Sequence, residues 1–191
     1  MANKHLHIEL LIIACSAGGM MLLMDLLSQL RSEVRFAVLV VVHRNDKFQS
    51  SLEQMAQYRC KLNVKSAEEK EQLKPGVVYF APAGYHLLVE NDRTLSLDVS
   101  EPVNYCRPSI DVTMQSAAEV YQEHVTAILL SGANKDGADG VSAIYKYGGT
   151  TLVQDPAYAE VDIMPKAAIA TQAVVSILSD EELVKYCHKL I

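Results

Sequence analysis

The 191-residue sequence predicts an α/β fold: a doubly wound, mostly parallel sheet with helices on both faces, and an antiparallel hairpin near residues 85–99. Three observations carry this expectation. Short apolar runs alternate with stretches of helical periodicity along the chain. Residues 36–42 form a continuous, largely β-branched run, which suits a strand buried on both faces. The first apolar run breaks at Cys15-Ser16-Ala17-Gly18-Gly19, and a helical pattern starts at once, as in the strand–turn–helix unit of parallel sheets.

Taken in order, residues 8–14 read as a short buried strand and 20–30 as the helix after the turn. Residues 36–42 are the second strand, and 50–58 are polar with apolar residues at helical spacing. Residues 62–66 and 77–81 are short strands, while 85–90 and 94–99 flank Asn91-Asp92-Arg93 as a hairpin. A helix follows over 110–122, with Asp111 near its start, and 125–130 is another buried strand. Residues 139–147 form a helix ended by Gly148-Gly149, and 150–153 a strand. Then come a helix at 165–170 opening on Pro165, a strand at 174–178 and a final helix at 181–190. No long Ser/Gly/Pro linker, low-complexity tract or repeat interrupts this order, so residues 1–191 are expected to form one domain.

The composition bounds the function. Half the residues are hydrophobic and 21% are charged, an ordinary globular balance. The net charge of −6 and a pI near 5.5 argue against nucleic-acid binding, which needs an excess of Lys and Arg facing phosphates. The four cysteines (Cys15, Cys60, Cys106 and Cys187) show no Cys-x-x-Cys pair and no zinc-finger spacing, so they read as free thiols in a reducing compartment, and no metal is expected. Ile12-Ile13-Ala14-Cys15 looks like a lipoprotein cleavage box. Against it, Lys4 is the sole upstream Lys or Arg, Glu9 interrupts the segment, and the apolar core before Ala14 is too short. The stretch 10–24 is also too short to span a bilayer. The expectation is a cytoplasmic chain with no membrane insertion.

Three buried strands are followed by residues that can do chemistry together: Ser16, His43, and Asp136 within Ser131-Gly132-Ala133-Asn134-Lys135-Asp136-Gly137. Parallel strands bring these ends to one edge, where ligands of such sheets bind. A serine hydroxyl needs a base, histidine can be that base near neutral pH, and a carboxylate on the far ring nitrogen fixes the tautomer. Amides of Ala17, Gly18 and Gly19 at a helix start are candidates for holding an oxyanion. Plainer readings stand beside this one. Ser16 suits a helix N-cap, His43 a polar loop position and Asp136 a turn. Cys15 is a rival nucleophile, although strand alternation turns it toward the core. Gly18-Gly19 also suits a phosphate cradle, but lacks the G-x-G-x-x-G spacing and the Walker lysine. The order Ser…His…Asp and the absence of Gly-x-Ser-x-Gly separate the chain from the α/β-hydrolases.

These residues lie in segments that resemble the catalytic domain of the chemotaxis protein-glutamate methylesterases (CheB type) over residues 8–190. Ala14-Cys15-Ser16-Ala17-Gly18-Gly19 resembles the family's nucleophile turn, and Val41-Val42-His43 its strand-terminal histidine. The segment from Lys74-Pro75-Gly76 through Ala81-Pro82 to His86, the stretch Arg107-Pro108-Ser109-Ile110-Asp111 and the loop 130–140 are similar to three more of its motifs. Gln154-Asp155 and Met164-Pro165-Lys166-Ala167-Ala168-Ile169 resemble its closing motifs. The resemblance implies that Ser16 is the nucleophile, His43 the base and Asp136 its orienting acid. It implies hydrolysis of glutamate methyl esters on a methylated receptor-like protein, with glutamine deamidation in many relatives, and no cofactor.

His86 and Arg107 are candidates for the substrate groove, and each equally suits an internal structural role. Family members usually carry a receiver domain before the esterase. The expectation here is none in the same chain, which makes a response regulator acting in trans a candidate partner that the sequence itself does not show. Ala17 stands where the family often has a hydroxyl residue, and losing an active-site donor costs roughly 100-fold or more in rate. Ala133 and Lys135 also depart from the family loop. The alternative function is a catalytically weakened binding module for receptor or signalling helices.

Overall fold

The computed structural model describes residues 7–44 and 51–190; the expected start of the second helix at Ser50 lies outside them. Nine strands are described: β1 Leu10–Cys15, β2 Ala37–Val42, β3 Asn63–Ser66, β4 Val77–Phe80, β5 His86–Val89, β6 Leu95–Asp98, β7 Val125–Leu129, β8 Thr150–Gln154 and β9 Ser176–Leu178. The helices are α1 Met20–Gln29, α2 Leu52–Arg59, α3 Ile110–Tyr121, α4 Ala138–Lys146, α5 Ile163–Ala170 and α6 Asp180–Lys189. Seven strands form one sheet in the order β3-β4-β2-β1-β7-β8-β9, with every pairing parallel. The hairpin β5–β6 is a separate antiparallel pair rather than an extension of that sheet.

All residues of β1 and β2 are buried. Their continuous apolar runs follow from cover on both faces. Leu10, Ile12 and Ala14 of β1, with Ala37, Leu39 and Val41 of β2, pack toward Ile110 and Met114 of α3, Val141 and Ile144 of α4, and Leu87 of the hairpin. The alternate residues Leu11, Ile13, Val38 and Val40 pack toward Leu23, Leu26 and Leu27 of α1 and Leu183 of α6. Burial of each such side chain is worth about 1.5–3 kcal/mol, so the two central strands form a stiff floor for whatever follows them.

Local chemistry sets the helix ends. Ser109 caps α3, and Ser179 with Glu182 forms a full capping box on α6. The α5 helix begins at Ile163, ahead of the expected opening at Pro165. Among the described residues, no helix is long and apolar enough to cross a membrane. The chain leaves β1 toward β2 on one side, while β7 lies on the other. The winding therefore reverses at β1, and the loops after β1 and β7 open at the place where parallel sheets hold ligands.

Candidate active site

The register of β1 and β2 pairs Cys15 with Val42. Ser16 and His43 are the next residues on each strand. The His43 amide donates to the Cys15 carbonyl at 3.3 Å, and the Ser16 amide to the Ser131 carbonyl at 2.9 Å. Strand alternation places Ser16 and His43 on the α3/α4 side and leaves Cys15 on the α1 side. Cys15 is fully buried there, and burial pushes its thiol up to about 12, so it is no rival nucleophile.

Nor does Ser16 act as the helix cap. The capping position of α1 belongs to Gly19, with no side-chain cap. Ser16 is half-buried, and among the described residues no hydrogen bond engages its hydroxyl. Gly18 has φ +78, and a Cβ there would stand 2.6 Å from Glu160 Cβ and 2.7 Å from Ser131 Oγ. The turn thus needs glycine both for its backbone conformation and for close approach. The Gly19 amide is already bonded to the Ser16 carbonyl at 3.2 Å. That leaves the amides of Ala17 and Gly18 as the oxyanion candidates of the turn. The Ala17 side chain is exposed, while its carbonyl accepts from the buried Ser131 hydroxyl at 2.8 Å.

His43 and Asp136 meet directly: Nε2 donates to Oδ2 at 2.7 Å. Asp136 is fully buried at the start of α3. Its Oδ2 also accepts from the Ile110 amide at 2.7 Å, and its Oδ1 accepts from the Ser109 hydroxyl at 2.7 Å and the Asp111 amide at 3.2 Å. A carboxylate facing the first amides of a helix meets the positive end of its dipole. Burial works against the charge, but the hydrogen bonds from His43, the Ile110 amide and Ser109 outweigh it and hold Asp136 below the usual carboxylate range. For His43, burial again opposes the charged form, yet the Asp136 hydrogen bond, and after it the Cys106 sulfur, raises it to about 9.

Cys106 is the residue that sequence reasoning missed. Its Sγ lies 3.5 Å from His43 Nδ1, the ring nitrogen turned away from Asp136. Asn134 Nδ2 donates to the same sulfur at 3.0 Å. One donor atom each from His43, Cys106 and Asp136 fall within 4.8 Å of one another, a set that could hold a metal ion. No spacing in the chain announces this, because Cys106 belongs to a loop that tertiary packing folds over the strand ends.

Asp111, expected near the start of α3, does more than occupy that helix. Its Oδ1 accepts from the amides of Gly137 and Gly140 at 2.7 and 2.8 Å, and its Oδ2 from Asn104 Nδ2 at 3.0 Å. The starts of α3 and α4 therefore cap each other through Asp136 and Asp111. Burial pushes Asp111 up to about 7, the Gly140 amide pulls back, and the Asp136 charge adds to the rise. Asp111→Ala strands two buried amides, and we expect a loss of about 2–4 kcal/mol in urea unfolding. A change below about 0.5 kcal/mol would show that the cross-cap carries no stability.

The two candidate groove residues both have internal partners, in keeping with the structural role that their sequence equally allowed. His86 is 1% exposed; its Nδ1 accepts from the Ser109 amide at 3.2 Å, so its Nε2 donates to the Glu101 carbonyl at 3.1 Å. It positions the segment bearing Ser109. The Arg107 guanidinium donates to the Val99 and Ser100 carbonyls at 2.8 and 2.9 Å, tying down the end of the hairpin. Ala133 and Lys135 are exposed beside the buried Asp136. They can alter what approaches the site without changing the carboxylate's partners.

Comparison with known proteins adds to this geometry. The family model described as CheB methylesterase matches residues 11–187. A relative in Leptospira interrogans is 38% identical over 182 residues, covering 95% of this chain and 94% of the relative. A Symbiobacterium thermophilum protein named protein-glutamate methylesterase/protein-glutamine glutaminase is 33% identical over 170 residues; 89% of this chain aligns with 47% of that longer protein. The crystal structure of the Thermotoga maritima CheB methylesterase catalytic domain matches with a TM-score of 0.90 at 32% identity, covering 96% of this chain and 99% of that one.

Proposed function

We propose that this chain, which belongs to the CheB methylesterase family, hydrolyses glutamate methyl esters on a receptor-like protein, with Ser16 as nucleophile, His43 as base and Asp136 as its orienting acid. The observation that carries this reading is the 2.7 Å bond from His43 Nε2 to a buried Asp136, made one residue beyond the strand pair that also delivers Ser16.

The chemistry follows from which nitrogen is free. Nε2 is held by Asp136, so Nδ1 receives the Ser16 proton as Oγ attacks the ester carbonyl carbon. The amides of Ala17 and Gly18 hold the developing oxyanion. Collapse expels the methoxy oxygen, which leaves as methanol with the proton from Nδ1. Water then attacks the acyl-enzyme with His43 again as base, freeing the glutamate carboxylate and restoring Ser16. The same attack on a glutamine amide releases ammonia, in line with the second activity in the name of the Symbiobacterium relative. Catalytic hydrogen bonds are often loose before substrate arrives, so the unbonded Ser16 hydroxyl fits a resting state.

The direct test is methanol release from a methylated receptor, together with a serine-hydrolase probe mapped by mass spectrometry. Label on Ser16 is expected. Label that survives Ser16→Ala would overturn the assignment.

The raised His43 sets the pH dependence. A base must be neutral to accept a proton, and a group at about 9 is mostly protonated at pH 7. With a chelator present, kcat/KM should climb about tenfold per pH unit from 7 toward 9. A plateau already reached at pH 7 would show that His43 is not the base or is not raised.

A further inference from the structure

We infer that His43 and Cys106 form a binding site for a soft divalent cation, zinc, whose occupancy blocks the hydrolase. The binding half stands on the geometry; the blocking half rests on the role proposed above for His43.

His43 Nδ1 and Cys106 Sγ are 3.5 Å apart. Zinc bonds of about 2.0–2.1 Å to nitrogen and 2.3 Å to sulfur at a tetrahedral angle put those two atoms about 3.6 Å apart. The pair is therefore spaced for one ion with almost no movement. The second nitrogen of His43 already donates to Asp136 at 2.7 Å. A carboxylate on the far N–H is the usual outer support of a metal-binding histidine, because it fixes the tautomer and aims the other lone pair. Here that lone pair is aimed at the sulfur. Asn134 Nδ2 donates to Sγ at 3.0 Å and would support a metal-bound thiolate. Cys106 is partly exposed, which gives an ion a way in, whereas Cys15, Cys60 and Cys187 are buried.

On binding, zinc takes the Nδ1 lone pair and the thiolate pair. The thiol proton and, where His43 is protonated, the Nδ1 proton pass to the buffer, no electron is transferred, and water completes the coordination. A metal-bound Nδ1 cannot receive the Ser16 proton, so turnover stops until the ion leaves.

Cobalt(II) titration of the full chain tests the site without recourse to activity. Wild type should show thiolate-to-cobalt absorption in the near ultraviolet that saturates at one ion per chain. Cys106→Ser should lack it, and Asp136→Asn should weaken binding about 10–100-fold. Zinc should suppress methanol release by wild type, and a chelator should restore it. In Cys106→Ser, zinc should suppress release at least about tenfold less, relative to that variant's own zinc-free rate. Cys106→Ala with a circular dichroism check serves if the serine variant fails to fold. Absence of the absorption in wild type, or its persistence in a folded Cys106 variant, overturns the site. Bound cobalt with undiminished methanol release overturns the blocking half. Bound cobalt in a chain with no esterase activity under any condition supports the site and overturns the proposed function instead.

Discussion

Ser16→Ala is expected to lower kcat for methanol release by about 10⁴–10⁶-fold while leaving the unfolding free energy measured in urea within about 0.5 kcal/mol of wild type. The two halves of this expectation have one cause. The Ser16 hydroxyl makes no hydrogen bond among the described residues, so its removal strands no buried partner. The helix that follows is capped through Gly19 and does not use the serine. A functional side chain that contributes nothing to folding can be deleted cleanly, and the loss then measures chemistry. The companion variant is Cys106→Ser. If methanol release survives in Ser16→Ala and disappears in Cys106→Ser, the nucleophile is the thiol that lies 3.5 Å from His43 Nδ1. Cys15 is outside this contest, since it faces the opposite layer.

Much of this arrangement is legible in the amino-acid sequence. Buried strands advertise themselves by unbroken apolar runs, and the residue after each run is countable. Ser16 and His43 follow two such runs directly, and Asp136 lies in the loop after a third, so the rule that loops of parallel strands share one edge is what nominates them. The register is what the structure adds: Cys15 pairs with Val42, so the next residues, Ser16 and His43, fall on the same face.

What stays hidden depends on loops and on sideways contacts between helices. Cys106 precedes α3 in a segment with no periodicity, and its approach to His43 is decided by where Asn104, Arg107 and Asn134 anchor that segment. Asp111 reads as an ordinary acid in a first helical turn, yet its carboxylate serves a different helix. Helical spacing reports a residue's own face and says nothing about the neighbour it meets. His86 shows a choice that the sequence leaves open. A histidine in a motif suits chemistry or structure equally, and burial with both nitrogens engaged supports its role as a strut for Ser109.

Asp136→Asn is expected to cost about 10⁴-fold in kcat and about 2–4 kcal/mol in stability, with the stability loss dependent on pH. In wild type, two carboxylate oxygens accept from His43, the Ile110 amide, the Ser109 hydroxyl and the Asp111 amide. An amide side chain offers a single acceptor and turns two N–H groups toward existing donors. His43 then loses both its orientation and the partner that stabilises its charge. The sign of the pH effect follows from the directions of the shifts. Asp136 is lowered in the folded protein, so its contribution is present above the unfolded value near 3.8 and is lost as pH falls through the folded one. His43 is raised from 6.5 to about 9, so its contribution is complete below 6.5 and is lost as pH rises through about 9. The two shifts largely describe one interaction and count once; the histidine's shift corresponds to on the order of 3 kcal/mol. The gap between wild type and Asp136→Asn should therefore be widest between about pH 4 and 6.5 and narrow on either side. Urea unfolding from pH 3 to 10 measures it. A gap that stays flat across that range would mean that the buried pair is held by packing and not by charge, and the steep pH dependence expected of kcat/KM would lose its physical basis.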